Sequence, residues 1–176
     1  MNLPTWITVS RLLGVPVVLI LLLEPTPSRA WTAVGVFLLA AGTDWVDGYL
    51  ARRLNQVTDL GKFLDPLVDK LLVLGPLLTL IELGKVPAWG VCLILARELA
   101  IAGWRVSPTF QAQTVPGANM CGKAKTVTQI AAVACLLAPI HDPAWKPFTQ
   151  IFFWSAVIIT CVSGILYLWP QVQIKN

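Results

Sequence analysis

Charged residues are scarce in this sequence. Asp, Glu, Lys and Arg together make up 12% of its 176 residues, whereas 56% of the residues are hydrophobic. Soluble domains usually carry about 25% charged residues, so this composition excludes an ordinary soluble globular protein. We expect an integral membrane protein, and we expect no nucleic-acid partner.

Histidine, paired cysteines and linker segments are lacking too. The single histidine, His141, falls in a predicted loop. The four cysteines are scattered with no close pair, which predicts neither a metal–thiolate site nor a disulfide framework. No Ser/Gly-rich linker and no internal repeat divides the chain, so we expect one domain over residues 1–176.

Long apolar runs are what the sequence has instead. Six of them have the length of a bilayer span, roughly 20 residues. They predict an all-α integral membrane protein with a bundle of six transmembrane helices. Arg11 lies inside the first run and no small-x-small cleavage site follows it, which favours a permanent helix over a secretory signal. The predicted spans lie near 4–23, 31–52, 66–82, 87–104, 124–140 and 148–169.

The placement of Lys and Arg predicts the orientation of the bundle, because short cytoplasmic loops are enriched in these residues. If the N-terminus is inside, the outer side receives only Arg29, Lys85 and Lys146. Both termini are then cytoplasmic, as an even number of spans requires. The cytoplasmic side receives Arg11, Arg52, Arg53, Lys62, Lys70, Arg97, Arg105, Lys123, Lys125 and Lys175.

One stretch, DWVDGYLARRLNQVTDLGKFLDPLVDK at 44–70, concentrates charge between apolar segments. In helices, Asp44 and Asp47 share one face, and Asp65 and Asp69 share another. Each carboxylate costs on the order of 2.5–3.5 kcal/mol at the centre of a membrane helix, so the four require compensation. The polar residues between the pairs predict a short inner loop, which includes Asp59 and folds the second pair back towards the first.

Four converging carboxylates form a hard, oxygen-rich site that suits Mg²⁺ or Mn²⁺, with two ions plausible for so many ligands. Gly48 and Ala51 leave one strip of the helix face almost bare, and Arg52 is placed to meet a phosphate. These features together predict a diphosphate site for phosphoryl transfer. The alternative is that the charges only solvate a membrane interface, which leaves the joint spacing unexplained.

The spacing Asp44-x2-Asp47-Gly48-x2-Ala51-Arg52-x8-Gly61-x3-Asp65-x3-Asp69 resembles the signature of the CDP-alcohol phosphotransferase family at every defined position. Three further segments resemble the bacterial phosphatidylglycerophosphate synthases of that family, so the likeness covers most of the chain. One departure is Thr5, where that subgroup usually carries Asn. The three segments are NLPTWITVSR, ARELAIAGWR and GKAKTVTQ.

The resemblance implies a six-helix fold, a homodimer and an active site open to the cytoplasm. It implies a two-metal centre held by Asp44, Asp47, Asp65 and Asp69. Asp65 and Asp69 would be catalytic, and Asp69 would act as general base. The donor implied is CDP-diacylglycerol, with the binding residues Gly48, Ala51, Arg52, Thr58, Asn2, Thr5 and Thr8.

Four cationic residues, Arg97, Arg105, Lys123 and Lys125, predict a phosphate pocket for the acceptor alcohol. Their alternative role is only to set topology. Arg97 differs from the others because it lies in an apolar run, where it needs a partner such as Glu98 or a bound anion. The cluster and the resemblance together favour glycerol 3-phosphate as acceptor.

Three other functions stay open. A cardiolipin synthase of the same family would use phosphatidylglycerol as acceptor, and a phosphatidylinositol phosphate synthase would use inositol phosphate. A cation transporter belongs to another class, and it would place charges near the midplane and often in repeated halves. We expect the protein in a bacterial inner membrane, among membrane lipids.

Overall fold

A computed structural model describes the backbone of residues 3–54, 59–106 and 118–173, and the side chains of residues 9–43, 66–104 and 122–167. Within these ranges the chain forms six α-helices and no strand, which confirms the predicted all-α class. The helices are α1 (Leu3–Leu23), α2 (Pro27–Leu54), α3 (Asp59–Glu82), α4 (Ala88–Val106), α5 (Ala118–Leu137) and α6 (Trp145–Gln173).

Several helix boundaries differ from the predicted spans. α3 begins at Asp59, so the prediction that Asp59 lies in the loop is wrong. An aspartate at this point suits a helix start, because its carboxylate can accept hydrogen bonds from the first free N–H groups. α5 ends at Leu137, short of the predicted residue 140. Pro139 explains this end, because the residue before a proline is disfavoured in helical conformation.

One helix of the described chain is both long and apolar enough to cross a membrane, at Trp145–Tyr167. A second apolar helical segment, Val9–Leu23, is shorter. The six-span bundle and the cytoplasmic termini therefore remain predictions.

The chain divides into two compact units. The single domain over residues 1–176 stays a prediction. The first unit comprises Met1–Lys85 and Val133–His141. In it α1 packs against both α2 and α3. Glycine lets the backbones approach: a Cβ at Gly75 would lie 3.1 Å from Cγ1 of Val15. Small residues at helix contacts are typical of membrane bundles.

The C-terminus of α3 is closed by a glycine turn. Gly84 has φ of 66°, a left-handed conformation that glycine adopts without steric penalty. Its N–H donates to the carbonyl of Ile81, and the N–H of Lys85 donates to the carbonyl of Leu80, both at 2.9 Å. This is the Schellman arrangement. Nζ of Lys85 then donates to the carbonyl of Leu136 at 2.9 Å, which ties the turn to the end of α5.

The second unit comprises Val86–Ala132 and Asp142–Asn176, and in it α4 packs against α6. Gly90 of α4 contacts Phe153 of α6, and further along both helices Arg97 contacts Gly164. The two helices therefore run parallel. The fourth and sixth spans would also be parallel in a bundle whose successive spans alternate in direction. This unit holds the polar residues to which the acceptor pocket was assigned.

Candidate functional site

The predicted metal and donor residues lie on the helices that their spacing requires. α2 carries Asp44, Asp47, Gly48, Ala51 and Arg52, and α3 carries Asp65 and Asp69. Only residues 55–58 separate the two helices. The side chains of residues 44–65 lie outside the described part, as do the side chains of Thr5 and Thr8 and the whole of Asn2 and Thr58. The roles predicted for these residues remain predictions.

Asp69 is the one predicted metal ligand whose side chain is described. Its Oδ1 accepts a hydrogen bond from Nη1 of Arg11 at 2.8 Å, in an ion pair between α3 and α1. The arginine side chain is only 2% exposed, whereas that of the aspartate is 47% exposed. A buried arginine thus fixes one oxygen of a carboxylate whose side chain is about half exposed.

No group of three metal-ligating side chains occurs among the residues whose side chains are described. The donor set predicted from the sequence is nevertheless chemically suited to a hard divalent cation, because all four of its members are carboxylates. Asp69 fits that role in the structure, since its carboxylate is half exposed.

A buried ionic cluster joins α4 and α5 in the second unit. Glu98 Oε1 accepts from Nη1 of Arg97 at 3.2 Å and from Nζ of Lys125 at 2.5 Å. All three side chains are only 11–12% exposed. The sequence predicted Glu98 as a partner for Arg97, and the structure contains that contact. Arg97 and Lys125 thus share the one carboxylate of Glu98.

α6 completes this cluster. Nη2 of Arg97 donates to Oγ of Ser163 at 2.8 Å. Further along the helices Nε2 of Gln129 donates to Oγ1 of Thr160 at 2.8 Å, in a fully buried pair. The order of these contacts makes α5 antiparallel to α6. Buried polar groups are normally hydrogen-bonded, and here the partners come from neighbouring helices.

Of the four predicted acceptor residues, the structure describes the side chains of Arg97, Lys123 and Lys125. The structure brings Arg97 and Lys125 together through Glu98, whereas Lys123 is exposed. Arg105 lies on α4, and its side chain is outside the described part.

The sequence did not reveal the contact of Arg11 with Asp69 or the contacts of Ser163 and Gly164 with Arg97. Arg11 served only as evidence for the topology and against a secretory signal. An arginine in an apolar run nevertheless requires a partner, as was argued for Arg97. Ser163 and Gly164 carried no signal beyond being small residues in an apolar helix. Their contacts with Arg97 join residues more than 60 positions apart, which only the fold brings together.

The chain is similar to known proteins over almost its whole length. The family model described as CDP-alcohol phosphatidyltransferase matches residues 1–162. A relative from Bacillus subtilis (strain 168), named CDP-diacylglycerol–glycerol-3-phosphate 3-phosphatidyltransferase, is 40% identical over 99% of both chains. A relative of the same name from Pseudomonas fluorescens is 38% identical over 98% of this chain and 88% of its own length.

A third relative carries a different name. It is the cardiolipin synthase (CMP-forming) of Oryza sativa subsp. japonica, which is 34% identical over 98% of this chain and 56% of its own length. The residues that the family model matches include the signature between Asp44 and Asp69. The chain belongs to the CDP-alcohol phosphatidyltransferase family.

Proposed function

We propose that this protein transfers the phosphatidyl group of CDP-diacylglycerol to sn-glycerol 3-phosphate, which gives phosphatidylglycerophosphate and CMP in phosphatidylglycerol biosynthesis. The near full-length similarity to relatives named for this reaction is the observation that carries the proposal. The buried cationic cluster of Arg97 and Lys125 supports it, because an acceptor that bears a phosphate needs such a partner.

The reaction is a displacement at phosphorus. Asp69 takes the proton of the acceptor hydroxyl, and the hydroxyl oxygen attacks the phosphorus that bears the diacylglycerol. A new P–O bond forms to glycerol 3-phosphate while the P–O bond to CMP breaks, and CMP leaves with the electron pair of that bond. Arg11 supports this role of Asp69 by fixing one oxygen of its carboxylate.

Divalent cations are part of the proposal. Asp44, Asp47, Asp65 and Asp69 would hold one or two Mg²⁺ or Mn²⁺ ions, with Asp65 beside the base. Bound there, the ions would supply positive charge against the diphosphate of the donor. We further propose that Gly48, Ala51, Arg52 and Thr58 bind the CDP group, together with Asn2, Thr5 and Thr8 of the N-terminal segment.

The molecular setting is also proposed. Six spans with cytoplasmic termini would place the site at the cytoplasmic surface, and a bacterial inner membrane would supply the lipid donor. Homodimerisation is proposed from the family resemblance alone. Large apolar side chains exposed on all six helices support lipid contact, as shown by Ile20, Leu39, Leu78, Leu99, Val127 and Ile151.

An acceptor panel tests the proposal. Purified protein in detergent is mixed with CDP-diacylglycerol, Mg²⁺ or Mn²⁺, and one alcohol at a time, and CMP is measured. We expect CMP with glycerol 3-phosphate, and no CMP when a chelator replaces the metal. CMP with none of the alcohols would revive the transporter reading.

A second candidate is a cardiolipin synthase that uses phosphatidylglycerol as acceptor. The relative from Oryza sativa favours it, although this chain covers only 56% of that protein. CMP release with phosphatidylglycerol and none with glycerol 3-phosphate would establish it. Release with inositol phosphate alone would instead identify a phosphatidylinositol phosphate synthase.

A further inference from the structure

Two adjacent residues of α6 set the position of Arg97. Ser163 accepts a hydrogen bond from Nη2 of the guanidinium at 2.8 Å. Gly164 leaves room for the stem of the same side chain: a Cβ at this position would lie 2.8 Å from Cγ and 3.6 Å from Nε of Arg97. α6 therefore determines both the path of the side chain and the direction of its charged end.

The close contact at Gly164 involves Cγ, near the backbone end of the Arg97 side chain. Cγ is one bond beyond Cβ, so displacing it rotates the whole side chain, and rotation is restricted to a few staggered rotamers. The guanidinium at the far end must then move further than Cγ does. A methyl group at position 164 would thus relocate the charge of Arg97 without removing it.

Arg97 and Lys125 share the single carboxylate of Glu98. A cation removed from water needs an anionic partner, and a bound anion can provide one. Nε of Arg97 is buried and makes no hydrogen bond among the described residues. A guanidinium offers its N–H groups in a fixed planar fork that matches the oxygens of a phosphate.

We infer that Ser163 and Gly164 are positioning residues for acceptor binding, because they hold the guanidinium of Arg97 where it meets the phosphate of the acceptor. The inference rests on the proposed function, since it takes that phosphate as the ligand of the cluster. It extends the site to α6, a helix that carries none of the signature residues. Loss of either residue should weaken binding of the acceptor and leave binding of the donor unchanged.

The first test is Ser163→Ala. The KM for glycerol 3-phosphate should rise about tenfold, the size expected when a charged group loses a hydrogen bond. The KM for CDP-diacylglycerol and kcat should each stay within about twofold of the wild-type value. A change confined to binding of the acceptor appears only in the acceptor KM. The matched control is Ser155→Ala on the same helix, where Oγ donates to the carbonyl of Phe152 at 2.8 Å within its own turn. The control should change neither KM.

The second test is Gly164→Ala. The acceptor KM should rise about tenfold or more, because a displaced guanidinium loses its alignment with the phosphate. Gly35→Ala is the control: it adds the same methyl group to a helical glycine with nothing within 4 Å of the new Cβ. Its kinetics should match those of the wild type.

Thermal unfolding of each variant separates positioning from folding. A lower Tm with kcat and both KM values equally impaired would mean that Ser163 and Gly164 are only structural, and it would overturn the inference. An unchanged acceptor KM in both variants would also overturn it.

The wild type is assayed first with glycerol 3-phosphate and with phosphatidylglycerol. If it uses only phosphatidylglycerol, the proposed function is wrong. The same variants are then measured against that acceptor, which also bears a phosphate. An acceptor KM that rises would support the inference on α6, and one that stays unchanged would refute it.

Discussion

The ion pair between Arg11 and Asp69 links a buried residue to the proposed chemistry. The arginine is 2% exposed and the aspartate 47%, so the cation is held by the helices while the carboxylate faces outward. One oxygen of the aspartate is fixed at 2.8 Å from the guanidinium. A carboxylate held in one orientation is already positioned to accept a proton. Less entropy is then lost on reaching the transition state.

Replacing the proposed base tests this role. Asp69→Asn keeps the size of the side chain but removes its ability to accept a proton. CMP release should fall to background, while binding of CDP-diacylglycerol, measured by titration in detergent, should persist. Turnover close to that of the wild type would refute Asp69 as the base.

Replacing its partner tests the positioning. Arg11→Met should lower kcat roughly 100-fold, because a misplaced catalytic group costs rate on that scale. Arg11→Lys should recover part of the loss, since it keeps the charge without the planar fork. Arg29→Met is the control: Arg29 pairs with Glu24 at 2.7 Å on the surface, where an ion pair contributes little.

A kcat that is unchanged in Arg11→Met would contradict the positioning role. A large fall in Tm in both Arg11 variants would point to a role in folding alone.

Residue contacts were the hardest feature to predict. The signature identified Asp69 from fixed spacing, yet its partner Arg11 lies 58 residues away in sequence. An apolar run shows that an arginine needs a partner, but it does not show which helix provides one. Arg97 was easier because Glu98 is its neighbour in sequence.

The end of α3 illustrates how an element is fixed by one residue. The turn at Gly84 needs positive φ, and Lys85 then reaches the carbonyl of Leu136. Desolvation at this place lowers the pKa of Lys85. The turn therefore sets both the end of α3 and its attachment to the end of α5.

Substitution of this glycine tests the turn. Gly84→Ala should lower the free energy of unfolding by about 1 kcal/mol, because an L-residue is strained at positive φ. Gly84→Asn should lower it less, since asparagine tolerates the left-handed region better. Thermal unfolding in detergent measures both. Equal stability of all three proteins would show that the turn does not need glycine.

The six helices of the described residues could be predicted from the sequence, but most of their boundaries could not. Apolar runs reveal only the apolar part of a helix, whereas α3 extends seven residues before its predicted span, through a polar segment. Polar residues are compatible with both a loop and a helix end. Pro139 is a stop signal for α5, but the predicted span runs past it to residue 140.

At the scale of the whole molecule, many large apolar side chains of the described residues are exposed. Leu23 is 73% exposed and Leu39 is 71% exposed, values that a soluble helix bundle would rarely combine with so many others. We propose that lipid covers this surface, and the biased distribution of Lys and Arg predicts the orientation of the bundle.

Site-specific labelling tests that orientation. In a variant without native cysteines, His141→Cys should react with a membrane-impermeant maleimide in intact cells, because residue 141 is expected outside. Lys175→Cys should react only after the cells are opened. The reverse pattern would mean that the bundle is inverted, and it would place the signature on the outer side.

Transfer of glycerol 3-phosphate into lipid tests the central proposal most directly. Purified protein is given CDP-diacylglycerol, Mg²⁺ and radiolabelled glycerol 3-phosphate, and label in the chloroform-soluble fraction is compared with CMP. We predict one labelled lipid for each CMP released, and neither product with Asp69→Asn. CMP without labelled lipid, or labelled lipid at the wild-type rate from Asp69→Asn, would contradict the proposed reaction.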